Sequence, residues 1–236
     1  MNDIKGYILD VQMSMCGHQK AIGFGSAKFY VKKIPRDEAN AMIVENHYSK
    51  KFYAASYIHL GVFMNDSLCG VLQFGYAMNP ASQSSVVSGT AQDEYLELNR
   101  MWLSDGAPRN SESRAISYSI KYIKREYPKV KWIQSFADER CNRFGVVYQA
   151  ANFDYYGEHK ATFFILGDEV FHNSILTDGR QKNTPKGQLL RANLDSVKPY
   201  VLRQFRYIYW IDKRAKANCN HKQRPYPKHY LEAQSS

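Results

Sequence analysis

Lys131–Leu166, KWIQSFADERCNRFGVVYQAANFDYYGEHKATFFIL, decides the fold class. It reads as a strand over 132–137, a short turn, a helix over 139–151, an aromatic turn and a second strand over 162–166. Asp138 falls where the first strand ends, the edge at which open mixed sheets usually place their chemistry. Phe144, Val147, Tyr148 and Ala151 follow at helical spacing, so the helix carries one apolar face with Tyr148 as its polar exception.

Outward from this stretch, elements alternate on both sides. Upstream, Pro35 stands at a helix start with Asp37 and Glu38 in the first turn, and the helix should end near His47-Tyr48-Ser49. Ile58–Phe63 and Leu68–Tyr76 are strands joined at Asn65-Asp66, a hairpin signal. Residues 79–92 are polar and loop-like. Tyr95–Leu103 is a strand with Glu97 and Asn99 on one face and Arg100 on the other. A helix begins at Ser111 or Glu112, carries Ile116, Ile120, Ile123 and Tyr127 along one stripe, and stops before Pro128. Downstream, Gly167-Asp168 turns another hairpin, residues 172–198 read as a polar, basic insertion, the run Phe205–Ile211 favours a strand, and residues 213–236 read as a basic tail. Alternation of this kind gives an α/β or α+β domain with a central mixed sheet flanked by helices.

The chain has 236 residues, 44% of them hydrophobic, enough for one domain with an appendage. We divide it into a catalytic core over 1–179 and, within the same domain, a basic insertion, final strand and tail over 180–236. No apolar run is long enough to span a membrane, and no signal segment is visible. Cys16, Cys69, Cys141 and Cys219 are scattered without a CxxC pair, which points to reduced thiols in a cytoplasm. The net charge of +10 is unevenly spread. Residues 1–179 balance, with 19 Lys/Arg and 19 Asp/Glu, whereas residues 180–230 hold 13 Lys/Arg against Asp195 and Asp212. Tyr200, Phe205, Tyr207, Tyr209, Trp210, Tyr226 and Tyr230 interleave with these cations. Lysine and arginine neutralise phosphates and aromatics stack on bases, so nucleic acid is the expected partner. Lys50, Lys51, Arg203, Arg206, Lys213, Arg214, Lys216, Lys222 and Arg224 are the expected contacts. A solvated charged tail is the plain alternative.

Four groups of residues can carry chemistry. At the start of the helix after Leu103, Arg109, Ser111, Ser113 and Arg114 surround unpaired backbone donors suited to an anion; Gly106 is the only glycine there, and a capped structural helix is the alternative. His47 can take a proton from an incoming amine, and Tyr48 can stack on a base or donate a proton; a helix end favoured by Lys50 and Lys51 is the alternative. Arg100, among Leu96, Leu98 and Trp102, needs a specific partner such as a phosphate or carboxylate, and a salt bridge to Asp138 would also serve. Asp138 and Tyr148 lie ten residues apart across the strand-to-helix turn. Widely separated His47, Asp138, His159 and His172 select no metal site.

The order of elements from about residue 29 to 171 resembles the GNAT acyltransferase fold, in which a tyrosine at the position of Tyr148 often acts as general acid and the loop at Asp105–Ser119 holds the donor's pyrophosphate. ENHYSKK, YLELNRMWLSD, SFADERCNRFGVVYQAANFDYYG and RQFRYIYWIDKR together resemble the Mom family of phage DNA-modification proteins. That resemblance implies a GNAT-like core whose acceptor is adenine in double-stranded DNA, an enzyme that installs a carbamoylmethyl group on the exocyclic amine and so protects phage DNA from restriction in the host cytoplasm. It implies His47, Tyr48, Arg100, Asp138 and Tyr148 as the active site. It also implies an activated acyl or glycyl donor, as a coenzyme A thioester or an aminoacyl ester, and a family iron requirement whose ligands the sequence does not name. A glycyl group joined through its carbonyl is an isomer of a carbamoylmethyl group, which makes a glycyl donor chemically sufficient. A dimer is compatible with the sequence. Two other readings stay open: a non-catalytic GNAT-like DNA-binding module, and an N-acetyltransferase of proteins or small amines.

Overall fold

The computed structural model describes residues 7–13, 19–79, 82–139, 144–177, 179 and 181–227. These fall into two compact units. The larger takes the chain to Ser135, Val146–Tyr156 and Tyr207–Tyr226; the smaller takes Phe136–Gly145 and Gly157–Arg206, with the residues from Pro227 onward.

In the larger unit β1 (Tyr7–Met13), β2 (Gln19–Ser26), β3 (Phe29–Lys33), β4 (Ser56–Met64), β5 (Ser67–Gly75) and β6 (Tyr95–Leu103) are neighbours in chain order, each antiparallel to the next. β7 (Trp132–Asp138) pairs parallel to β6 from Tyr95↔Trp132 to Glu97↔Gln134. The order continues through β10 (Pro199–Trp210) to β8 (Asp154–Leu166), and β7, β8 and β10 each contribute residues to both units. Local sequence explains the turns. Asn65 and Asp66 both adopt positive φ (48° and 64°), the geometry that lets a two-residue hairpin match the twist of its strands.

Helix α1 (Arg36–Asn46) starts after Pro35 and buries Ala39 and Ile43 against Ile34 and Val71. Helix α3 (Ser111–Glu126) packs on β2 and β3, burying Ala115, Ile116, Ser119, Ile120 and Ile123 along one face. Each fully buried isoleucine of this kind contributes about 2–3 kcal/mol of transfer free energy, and the helix stops one residue short of the position that Pro128 restricts. A second core gathers Ala77, Val86, Val87, Tyr95, Trp132, Tyr156, Ile208 and Trp210, with Ala215 and Cys219 packed against it.

The smaller unit pairs the far half of β8 with β9 (Glu169–His172) across Gly167, whose φ of +60° suits glycine. It also holds α5 (Ser174–Thr177) and α6 (Pro185–Ala192), and its core joins Phe164, Phe171 and Leu190. Arg203 grips Glu139 through its guanidinium (2.7 and 2.9 Å) and its backbone N–H (2.8 Å). That contact holds the Glu139 carboxyl below its ordinary range.

Five expectations change. Of the helix expected over 139–151, the described residues show α4 (Val146–Ala150); Gly145, with φ +78°, has a left-handed geometry that cannot sit inside a helix and so separates α4 from what precedes it, and residues 140–143, including Cys141, lie outside the described residues. The polar loop 79–92 contains α2 (Gln83–Val86). The insertion 172–198 is partly helical, through α5 and α6. The basic tail is built structure as far as Pro227: a 3-10 turn at Lys213–Asn218 leads into bridges Val87↔Cys219 and Tyr155↔Arg224. Phe205, Tyr207 and Trp210, expected to stack on bases, are buried because β10 is an inner strand between β7 and β8. Tyr230 lies outside the described residues, as does Cys16; Cys69 and Cys219 are unbridged. No described helix is long and apolar enough to cross a membrane.

Candidate functional site

The loop after α1 is organised around one imidazole. His47 caps the helix, its backbone N–H reaching the Ile43 carbonyl, and its ring is buried. The Ser49 backbone N–H donates to His47 Nδ1 (3.1 Å), and the Ser49 hydroxyl lies 2.8 Å from the same atom. A nitrogen that accepts from a backbone N–H carries no proton of its own, so the neutral imidazole holds its proton on Nε2. In that state His47 offers a donor at Nε2. The Tyr48 ring stands 4.2 Å from the imidazole and is about half exposed (53%), with Phe52 similar (50%).

Arg100 ties this loop to the middle of β6. Its Nε donates to the Lys51 carbonyl (3.2 Å), its Nη1 to the Asn99 carbonyl (2.7 Å), and its guanidinium lies over the Tyr53 ring at 5.4 Å. The Ser49 hydroxyl oxygen also lies 3.3 Å from the Lys51 carbonyl, and the Lys51 backbone N–H donates to it (3.4 Å). His47, Tyr48 and Arg100 are thus brought into one connected cluster. Burial, reinforced by the Glu97 carboxylate and opposed by Arg100, holds the Tyr53 hydroxyl far above its ordinary range, so it stays protonated.

Glu97, a charged residue that shares its strand with Arg100 and Asn99, is held on both carboxylate oxygens. Its Oε1 accepts from Asn99 Nδ2 (3.2 Å) and its Oε2 from Gln134 Nε2 (2.8 Å). Asn99 in turn accepts from the Ser56 hydroxyl (2.9 Å) and donates to the Tyr76 carbonyl (3.1 Å). The irregular register between Gln73 and Phe74 leaves Asn99 opposite no residue of β5, and such bulges re-aim side chains. The signal was present in sequence, as a charged and an amide residue two apart in an apolar strand. Gln134, which holds the carboxylate, could only be found through the fold.

Asp138 is the last residue of β7, buried, and belongs to the smaller unit. Tyr148, on α4 of the larger unit, is buried with its ring 5.5 Å from Tyr207 and 5.7 Å from Phe153.

The four residues expected to bind a donor share one cavity. Arg109, Ser111, Ser113 and Arg114 line a space of about 400 Å³ with Lys28, Phe29, Met64 and Asn65, between the β2–β3 turn, the β4–β5 turn and the start of α3. Arg114 lies over Phe29 (4.7 Å) and donates to the Ser26 hydroxyl (3.1 Å). No side chain caps α3; Asn110 precedes it with φ 67°, and the Ser113 hydroxyl donates back to the Asn110 carbonyl. Three cations, Lys28, Arg109 and Arg114, surround this helix start, a charge arrangement suited to an anion.

The nine expected DNA contacts divide. Arg203 is committed to Glu139, and Arg206 is half-buried over Phe136 (5.3 Å). Lys50 donates to the Glu45 carbonyl, Arg214 to Asp212 and Lys216 to Asp154. Lys51, Lys213, Lys222 and Arg224 are exposed. Among the described residues no three His, Cys, Asp or Glu side chains are grouped so as to hold a metal ion.

With this geometry in hand, comparison with known proteins is informative. The model of the Mom protein family matches residues 28–228. The chain is 49% identical over 210 residues to the methylcarbamoylase mom of Escherichia phage Mu, covering 88% of this chain and 87% of that protein. Among solved structures it is similar to a ribosomal-protein-S5-alanine acetyltransferase from Vibrio fischeri (TM-score 0.47, 10% identity, 81% of this chain and 98% of that one). It is also similar to AAC(6')-Ib, solved in complex with ribostamycin and coenzyme A (TM-score 0.45, 11% identity, 80% of this chain and 96% of that one). Neither structure assigns a role to a residue of this chain.

Proposed function

Starting from a chain that belongs to the Mom protein family, we propose that it modifies adenine in double-stranded DNA, placing a carbamoylmethyl group on the exocyclic amine and protecting phage DNA from host restriction. The observation that carries this reading is the cluster at the middle of β6, where Arg100 joins an exposed tyrosine and a proton-bearing histidine to the Glu97–Asn99–Gln134 network.

A base stacked in a duplex is out of reach and must be extruded. The exposed rings of Tyr48 and Phe52 offer faces on which it stacks. Adenine's amine is a weak nucleophile, since its lone pair is delocalised into the ring, so the site has to position it and accept its proton. We assign proton acceptance to Asp138, donation toward the base to His47 Nε2–H, and return of a proton to the leaving group to Tyr148. Arg100 faces charge that develops on the transferred group. Glu97 is a positioning residue, fixing Asn99 and through its carbonyl Arg100.

The donor is an activated acyl or glycyl group, carried as a coenzyme A thioester or an aminoacyl ester. Its phosphates face Lys28, Arg109 and Arg114 in the cavity at α3. In this reading N6 of adenine bonds to the carbonyl of a glycyl donor as its C–S or C–O bond breaks, the leaving thiolate or alkoxide taking up a proton; the glycyl product then isomerises with no change of composition, its N6–carbonyl and CH2–NH2 bonds breaking as N6–CH2 and carbonyl–NH2 bonds form. The described residues offer no set suited to iron, and iron enters no step of this reading.

A plasmid from bacteria expressing the chain should resist restriction enzymes whose sites contain adenine, and Tyr48→Ala should abolish that resistance. Full cleavage of plasmid from cells containing soluble wild-type protein would count against the reading.

A further inference from the structure

We propose that residues 213–227 form a preordered rail for the phosphates of duplex DNA, fixed to the end of the larger unit at which β6 begins; the inference rests on DNA being the substrate.

The segment KRAKANCNHKQRPYP holds five cations and no carboxylate. It is held by groups that are mostly neutral. Asn220 is anchored four ways: its backbone N–H donates to the Val86 carbonyl (2.9 Å), its side-chain amide donates to the Ser84 and Ser85 carbonyls (3.2 Å each), and its Oδ1 accepts from Ser88 (2.9 Å). Further on, Arg224 donates its backbone N–H to Tyr155 (2.9 Å) and Tyr226 its hydroxyl to the Phe153 carbonyl (2.8 Å). Ala215 and Cys219 pack on the core that contains Trp132 and Trp210.

Charge balance at this end singles out three side chains. Its carboxylates are already matched, Asp93 with Lys129, Glu94 with Lys131, Asp154 with Lys216 and Asp212 with Arg214. Lys213, Lys222 and Arg224 are exposed, and no ion pair among the described residues involves them. They stand on a backbone whose ordering entropy was lost on folding and is not lost again on binding.

Location makes the partner a duplex. β6 and β7 begin at this end, β8 begins and β10 ends here, and the Lys131 carbonyl accepts from the N–H groups of both Ile211 and Asp212 (2.9 Å). β4 starts here too, directly after the loop bearing Tyr48 and Phe52. Ring contacts Tyr57–Tyr76–Tyr95–Trp132–Trp210 run from that loop to the core under the rail. A cationic rail beside exposed rings suits a polyanion whose base is drawn out next to its backbone.

The test is the salt dependence of binding to a duplex oligonucleotide by the full chain. Lys213→Ala, Lys222→Ala and Arg224→Ala together should lower the slope of log affinity against log salt by about 3, at about 0.9 per lost phosphate contact, and weaken binding on the order of 10²–10³-fold near 0.1 M salt. Asn220→Ala with Tyr226→Phe, shown folded by an intact melting transition, should weaken binding about 5–10-fold at unchanged slope, the expected mark of lost preordering. A triple variant that keeps the wild-type slope overturns the rail; an anchor variant that keeps wild-type affinity overturns its preordering. Wild-type protein that neither binds nor modifies duplex DNA would instead sink the reading beneath both.

Discussion

The two ends of β6 present their cations in different settings. At the Leu103 end, two turns and the start of α3 enclose a cavity of about 400 Å³ with Lys28, Arg109 and Arg114 around it. At the Tyr95 end, cations stand on an exposed extended segment above an aromatic core. A concave site with a helix start selects a small, compact anion such as a donor's phosphates. A convex cationic edge selects a long one, whose affinity depends on salt. Net charge alone does not separate these roles. Arg203 belongs to the same basic quarter of the sequence, yet it serves the smaller unit by holding Glu139.

The strongest way to break the comparison is to remove what lies between the ends. Arg100→Lys keeps the charge but loses the fork that bonds both the Lys51 and Asn99 carbonyls; the initial rate of adenine modification should fall about 100-fold with DNA affinity unchanged. An equal loss of rate and affinity would show that the two functions are not separate. Next in size, Arg109→Ala with Arg114→Ala should lower modification about 10–30-fold through weaker donor binding, relieved by raising donor concentration, with the salt slope of DNA binding unaltered. Glu97→Ala should slow modification about 10-fold, whereas Glu97→Gln should recover most of it. Gln134 Oε1, which is buried without a partner, can accept from the new amide after a flip. Equal loss in both variants would make Glu97's charge, and not its hydrogen bonds, the important property.

The smallest effect sharpens a second contrast, between the units. Burial, with Arg36 and Lys33 adding to it, holds the His59 imidazole below its ordinary value of 6.5. The folded state keeps it neutral while the unfolded chain protonates it, so its contribution is complete above pH 6.5 and is lost as pH falls below that. Arg203 lowers the Glu139 carboxyl from 4.5, so that pair's contribution is complete above pH 4.5 and is lost only as pH falls through the lowered value. Amide protection, corrected for the intrinsic fall of exchange rate with pH, should therefore weaken around β4 and β5 between pH 7 and 5, before it does in β8 and β9. The reverse order would contradict these assignments.

Local signals made much of this legible in sequence. Tyr95–Leu103, the helix start at Ser111 and the Asn65-Asp66 turn are each set by alternation, by a helix-start pattern or by a residue that tolerates positive φ. Arg109, Ser111, Ser113 and Arg114, expected to hold a donor, line one cavity because they lie within six positions of one another, around one helix start. Long-range pairings were not legible. Gln134 reaches Glu97 from 37 positions away, and Asn220 reaches Ser84 from 136. The aromatics of β10 misled because an inner strand and a base-stacking surface have the same composition; burial distinguishes them, and burial depends on which strands lie on either side. The Gly145 break was visible as a residue, but a glycine within an apolar helical pattern does not announce its φ.

The most direct test is to weigh the nucleosides of digested plasmid DNA from bacteria expressing the intact chain, beside an Asp138→Ala control. The account predicts a new deoxyadenosine derivative, heavier by a carbamoylmethyl group, in the wild-type sample alone. Unmodified deoxyadenosine throughout, with the wild-type protein soluble and bound to DNA, would contradict it.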